Sequence, residues 1–173
     1  MSIPVTLILS KNNASSVLRD DVKQNIKKVI SIGDPGESPP RGLDGRDVLR
    51  LEFVDTVNRG EKGCPEKKHA LKIIDFANKI KDESYDGPIL FHCWAGISRS
   101  SASAFICNYI WTGDAEKALD IVYNASSRTS PNPLLVLEAD GLLGERKLSS
   151  ALAKRPDGSD FRYPNLLNIQ RNS

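Results

Sequence analysis

Two apolar segments close together, residues 89–91 (ILF) and residues 102–110, strongly constrain the fold of this chain. The first follows the chain-breaking pair Gly87-Pro88 and is too short for anything but a strand. The second belongs to a helix beginning at about Ser98, and its apolar residues lie on most sides, as in a helix buried at the centre of a domain. A short strand leading through a tight turn into a buried helix indicates a sheet covered by helices.

The rest of the chain alternates in the same way. Strands are predicted at residues 5–9, 28–32 and 48–54, and a helix with one apolar face is predicted from Pro65. Asp114 is expected to cap a helix reaching Ala125, Asn132-Pro133 to start another through about Leu142, and residues 145–154 to form a weaker one. Strands that alternate with helices predict an α/β fold, with a central, mainly parallel sheet of about four to five strands flanked by helices.

Chain length predicts a single domain over residues 1–173, with a core at about residues 5–155 and an irregular tail at residues 157–173. The formal charge of +2 gives no reason to expect a nucleic-acid or membrane partner, and the longest apolar runs are too short to cross a bilayer. The N-terminal segment is interpreted as a first strand and not as a signal peptide. The three cysteines form no C-x-x-C pair, which favours a cytoplasmic protein with reduced thiols. We expect the protein to be a monomer.

The segment FHCWAGISRS at residues 91–100 combines a thiol, a guanidinium and a hydroxyl around a small loop. Strand ends are where parallel α/β sheets bind ligands, and a helix N-terminus attracts anions. Arg99 can grip two phosphate oxygens, and the same positive surroundings favour the thiolate of Cys93. Ser100 can donate to that thiolate, and His92 is expected to support the loop rather than act as a base. The backbone predicted to cradle a phosphate, beside Arg99, is that of Trp94, Ala95, Gly96, Ile97 and Ser98.

HCWAGISRS resembles the H-C-x-x-G-x-x-R-S signature of the cysteine-based protein tyrosine phosphatases, and looks most like their dual-specificity branch. The resemblance extends over about residues 28–142. It implies a phosphocysteine mechanism that uses no metal or cofactor, with a phosphorylated protein or peptide as the substrate. Composition and small size suggest a compact bacterial member.

The resemblance also implies a general acid, which family members carry as an aspartate on a loop after a strand. Asp55 is the matching position. Asp55 is therefore the preferred acid. Because the NRGEKG segment lengthens the chain between Asp55 and Cys93, two lesser alternatives stay open: Glu61 as the acid, and a purely structural role for Asp55 at a strand end. In some family members a second cysteine protects the nucleophile as a disulfide, a role that Cys64 would fill here.

Other residues near these motifs have simpler interpretations. Asn132 is expected mainly to cap its helix, and Arg128 to be a surface or supporting cation. Asp34 could line the mouth of the site, although turn chemistry alone explains it. Cys107 is expected in the core, and His69 is expected to be solvated on a lysine-rich helix.

The apolar side chains of Trp94 and Ile97 favour phosphotyrosine over polyanionic lipid headgroups. The sequence thus predicts an active phosphatase for phosphotyrosine, with phosphoserine and phosphothreonine left open. Three alternatives remain: a catalytically weak phosphate-binding regulatory module, a phosphatase for a non-protein ester such as an inositol phosphate, and an enzyme of sulfur or arsenate chemistry.

Overall fold

A computed structural model of the chain describes residues 2–21 and 24–154. The irregular tail predicted at residues 157–173 lies outside the described residues. The strands are β1 (Val5–Ser10), β2 (Lys28–Gly33), β3 (Asp47–Glu52) and β4 (Pro88–Cys93). The helices are α1 (Lys11–Arg19), α2 (Lys67–Asp82), α3 (Arg99–Thr112), α4 (Ala115–Ala125), α5 (Pro133–Leu143) and α6 (Lys147–Ala153).

The four strands form one sheet in the order β1-β4-β2-β3, and every neighbouring pair is parallel. This confirms the α/β class and the predicted parallel sheet. Strand β4 has a neighbour on each side, so its residues are buried except at the first position. The carboxyl end of an interior parallel strand is a favoured place for a ligand site.

Alternate residues of the strands face opposite sides of the sheet, as the period of two requires. Val29 and Leu90 pack towards α1, in a small cluster with Ala14 and Leu18. Their neighbours, such as Ile30 and the β4 phenylalanine, pack towards α2 and α3 in the main core. The sheet is therefore covered on both faces.

Helix α1 was not predicted, because KNNASSVLR is polar apart from a narrow apolar face. Ser10 caps it, with the side chain accepting a hydrogen bond from the Asn13 amide at 3.3 Å. Helix α2 begins two residues later than expected: Pro65 precedes the helix, and Glu66 is its N-cap. Helix α3 is buried along almost its whole length, as its sequence indicates. Among the described residues, no helix combines the length and apolar character needed to span a bilayer.

Candidate active site

Cys93 ends β4 and lies opposite Ser10 of β1 in the register of the sheet. Its residue surface is 2% exposed, and its Sγ atom lies 3.2 Å from Oγ of Ser100 in the first turn of α3. Strand β4 therefore fixes the position of the sulfur at the carboxyl end of the sheet, and α3 places a hydroxyl beside it. Either atom can donate in this contact; a thiolate would accept from the serine.

The cysteine loop, residues 93–99, turns tightly at Gly96, whose φ of +71° lies in the left-handed region. A Cβ atom at this position would lie 2.5 Å from the carbonyl carbon of Leu9. The loop thus rests directly on the backbone where β1 leads into α1, and the Lys11 amide donates to the Trp94 carbonyl at 3.2 Å. Only glycine combines this conformation with this close approach.

A second segment holds the other side of the cysteine loop. The amides of Ser130 and Asn132 donate to the carbonyls of Ile97 and Ser98, at 2.9 and 3.1 Å. This segment leads directly into α5, because Asn132 is the N-cap of that helix and accepts from the Leu135 amide at 3.0 Å. The predicted cap is confirmed, and its backbone also fixes the loop.

Arg99 is held by one end of its guanidinium. Its Nη1 atom donates to the Phe53 carbonyl at 2.6 Å and to Oδ1 of Asp34 at 2.7 Å. The side chain is 4% exposed, and its Nε atom is buried without a hydrogen-bond partner in the described part of the chain. Its Nε donor is therefore available to an anion bound beside the guanidinium.

Arg99 and Cys93 line a cavity of about 650 Å³. Trp94 lies at the cavity and is 62% exposed, with Nζ of Lys11 5.7 Å from the centroid of its ring. The loop after β2 contributes Asp34 and Glu37 to the lining. The Asp34 role was underestimated from sequence, since its turn also supplies the carboxylate that pairs with Arg99.

Asp55 lines the same cavity, from the loop after β3. Its Oδ1 atom accepts hydrogen bonds from Oγ of Ser98 at 2.6 Å and from Nδ2 of Asn132 at 2.9 Å. Glu61, the alternative acid, accepts instead from Oγ1 of Thr56 at 2.5 Å and is not among the residues lining the cavity. The structure therefore brings Asp55, and not Glu61, to the cysteine loop.

His92 lies beneath the loop and is 1% exposed. Its Nε2 atom lies 2.7 Å from Oγ of Ser31, and its Nδ1 atom lies 3.4 Å from the Cys93 carbonyl. Arg50 donates to the same serine hydroxyl at 3.0 Å, which leaves the hydroxyl proton for Nε2 and places the imidazole proton on Nδ1. Burial lowers the pKa of His92 to about 4, so the ring is neutral at pH 7.

Several expectations for other residues can now be compared with the structure. The prediction that His69 is solvated was wrong. The residue is 7% exposed, its Nδ1 accepts from the Glu66 amide at 3.0 Å, and its ring lies 4.7 Å from that of Phe53. Burial, followed by the nearby Lys68 charge, lowers its pKa. The lysines around it in sequence hid the fact that it faces inward from the first turn of α2.

The three cysteines are all buried and unbridged. Cys107 lies in the main core as expected, and burial raises the pKa of its thiol. Cys64 packs in a separate small cluster with Leu134, so its redox role stays a prediction. Arg128 is exposed, as expected for a surface cation.

Comparison with known families shows that the model described as protein-tyrosine phosphatase matches residues 53–130, which include Asp55 and the whole cysteine loop. No sequence among the curated proteins compared is close enough to count as a match.

Solved structures with the same fold include that of human DUSP28, with a TM-score of 0.62 and 17% identity over 80% of this chain and 87% of that one. The structure of DUSP15 has a TM-score of 0.58 and 25% identity over 90% of this chain and 94% of that one. That of PTPMT1 in complex with PI(5)P has a TM-score of 0.56 and 21% identity over 83% and 96% of the two chains.

Proposed function

We propose that the chain is a cysteine-based protein tyrosine phosphatase that hydrolyses phosphotyrosine in proteins through a phosphocysteine intermediate at Cys93. The match to the protein-tyrosine phosphatase model over residues 53–130 supports the family. One observation carries this proposal. Arg99 and Cys93 line the same cavity, so a guanidinium and a thiol face one ligand there. A phosphate monoester offers oxygens for the guanidinium and an electrophile for the sulfur.

In the first step the Cys93 thiolate attacks phosphorus in line with the ester oxygen. A sulfur–phosphorus bond forms, the ester bond breaks, and the leaving oxygen takes a proton from Asp55. The cysteine loop and Arg99 hold the three remaining phosphate oxygens, and the N-terminus of α3 favours their negative charge.

In the second step the Asp55 carboxylate takes a proton from a water molecule, which attacks phosphorus and releases the thiolate. Ser100, 3.2 Å from the sulfur, stabilises the thiolate as it leaves by donating its hydroxyl proton into a hydrogen bond. His92 stays neutral beneath the loop and exchanges no proton with the substrate; its role is to fix the Cys93 carbonyl.

Preference for phosphotyrosine follows from the cavity lining. Trp94 offers an exposed aromatic face to a phenyl ring. Asp34, 58% exposed in the lining, opposes additional phosphate groups on a polyanionic substrate, whereas the Glu37 carboxylate is paired with Lys11 at 2.7 Å. PTPMT1 was crystallised with PI(5)P, but the likeness to it shows the fold alone.

The proposal is tested by steady-state kinetics on a phosphotyrosine peptide, the matched phosphothreonine peptide and an inositol phosphate. We expect kcat/KM to be highest for the phosphotyrosine peptide. Vanadate should inhibit the activity, chelators should not affect it, and the Cys93→Ser variant should have none. Higher kcat/KM for the inositol phosphate would overturn the substrate assignment. Phosphate binding without turnover would indicate a regulatory binding module instead.

A further inference from the structure

The loop between β3 and α2, residues 54–64, carries Asp55 and is closed on itself. Its base is a hydrogen bond from the Val54 amide to the Gly63 carbonyl, at 2.7 Å. Inside it, Thr56 donates to Glu61, and the Cys64 amide donates to the Glu61 carbonyl at 3.0 Å. These hydrogen bonds tie the two ends of the 54–64 loop together, so a contact that holds one part of the loop also restrains Asp55.

Arg59, within the NRGEKG segment of this loop, reaches across to α5. Its Nη1 atom donates to Oε1 of Glu138, a residue 79 positions later. The Glu138 side chain is 4% exposed, whereas that of Arg59 is 39% exposed. A buried carboxylate requires a partner, so Glu138 on this helix is an anionic anchor for the Arg59 cation of the loop.

The same helix holds the loop at a second point. Asn132, the N-cap of α5, donates through Nδ2 to Asp55 and to the Thr56 carbonyl, at 2.9 and 3.1 Å. Glu138 lies six positions after Asn132, a separation of about 9 Å along a helix. Two attachments at this separation restrain rotation of the loop about either one.

The cysteine loop is attached to this helix as well, through the hydrogen bond from the Asn132 amide to the Ser98 carbonyl. Helix α5 is thus a common frame for the loop that carries the nucleophile and the loop that carries the proton donor. The ion pair between Arg59 and Glu138 therefore fixes the 54–64 loop relative to the cysteine loop.

We propose that Arg59 and Glu138 are positioning residues that hold Asp55 where it can protonate the leaving group. This inference rests on the proposed function. It assigns to the inserted segment a role in catalysis beyond lengthening the loop. Neither residue lines the cavity, so both act through Asp55.

The test compares kcat/KM on two aryl phosphates. The phenolate released from phenyl phosphate needs a proton, whereas that released from 2,4-dinitrophenyl phosphate does not. We expect Arg59→Ala to lower kcat/KM for phenyl phosphate by about tenfold or more, because a small displacement of a catalytic group has a large effect on rate. For the dinitrophenyl ester we expect kcat/KM to stay within about twofold.

Lys62→Ala is the matched control, since it removes the same charge from an exposed position of the same loop. We expect it to leave both rates unchanged and Arg59→Lys to recover most of the rate on phenyl phosphate. If the residues act as a pair, Glu138→Ala should reproduce Arg59→Ala, and the double variant should be no worse than either single one. Should Glu138→Ala fail to fold, the two Arg59 variants still decide the question.

Equal losses on both esters would mean that the pair only stabilises the fold, and unchanged rates on both would mean that it does not restrain Asp55. Either result overturns the inference while leaving the proposed function intact. If the unaltered protein hydrolyses neither ester, the proposed function itself fails.

Discussion

The guanidinium of Arg99 and the carboxylate of Asp34 form an ion pair in which Nη1 and Oδ1 are 2.7 Å apart. The arginine side chain is buried and the aspartate side chain is 58% exposed, so the pair joins the floor of the cavity to its mouth. Because Phe53 also accepts from Nη1, the guanidinium keeps an anchor when the aspartate is neutralised.

Asp34→Asn is therefore expected to tighten the binding of inorganic phosphate by about threefold. The carboxylate opposes an anion in the cavity, and its exposure limits the effect to that of a surface charge. The measurement is competitive inhibition by phosphate at low salt. Asp44→Asn, an exposed carboxylate outside the cavity lining, is the control. Weaker inhibition in Asp34→Asn would show that the aspartate orients Arg99 rather than opposing the ligand.

Asp55→Asn tests the proton donor. An asparagine can still accept from Ser98 and Asn132, so the loop is retained while the transferable proton is lost. We expect kcat/KM for phenyl phosphate to fall by about 10²–10⁴-fold. Hydrolysis of 2,4-dinitrophenyl phosphate, whose leaving group needs no proton, should change far less. Glu61→Gln is the companion variant, and a larger loss there than in Asp55→Asn would reverse the assignment.

Ser100→Ala tests the release of the thiolate. Removing a hydrogen bond to a charged group is expected to slow hydrolysis of the intermediate by about 10–100-fold. Formation of the intermediate should change far less, so rapid mixing should reveal a burst of phenol. Ser103→Ala is the control, because that hydroxyl donates to the Ser100 carbonyl within α3. A burst-free variant with both steps slowed alike would contradict this role.

His92 predicts a pH dependence of stability. Its pKa of about 4 in the folded protein lies below the ordinary value of 6.5, so the unfolded chain takes up the proton first as pH falls. The stability linked to this group is complete above about pH 6.5 and is lost towards pH 4.

Between pH 7.5 and pH 5 we expect the wild-type free energy of unfolding to fall by about 2 kcal/mol more than that of His92→Asn. Urea unfolding at the two pH values measures this difference. His69→Asn, which removes the second of the two histidines, should give a difference of the same sign. Parallel losses in wild type and His92→Asn would show that the ring titrates normally.

Gly96→Ala and Gly113→Ala form a matched pair, since their φ angles are +71° and +70°. Alanine at Gly113 meets no atom within 4 Å and should cost about 1–2 kcal/mol of unfolding free energy for its conformation alone. Alanine at Gly96 collides with backbone, which adds about 1–3 kcal/mol and displaces the cysteine loop. We expect phosphatase activity to be lost only at Gly96, and equal behaviour of the two variants would refute the close approach.

The sheet and the position of Cys93 could be predicted from the sequence because both follow from local patterns. These patterns are apolar runs of strand length and a turn into a buried helix. Helix α1 could not be predicted, because its sequence is largely polar. Its apolar residues Ala14 and Leu18 pack against the face of the sheet that the other helices leave uncovered. Long-range partners were equally hidden. Nothing near Glu138 in sequence reveals that its carboxylate meets Arg59, 79 residues away.

The sheet order also separates what can change in this site from what cannot. Cys93 ends an interior strand, its loop rests on the junction between β1 and α1, and the loops that follow β2 and β3 form walls of the cavity. The loop after β2 brings Asp34 and Glu37, and the loop after β3 brings Asp55. Substitutions in these two loops can change the charge, length or shape of the cavity walls, and thereby the molecules that bind. The position of the Cys93 sulfur does not change, because it is set by the centre of the sheet.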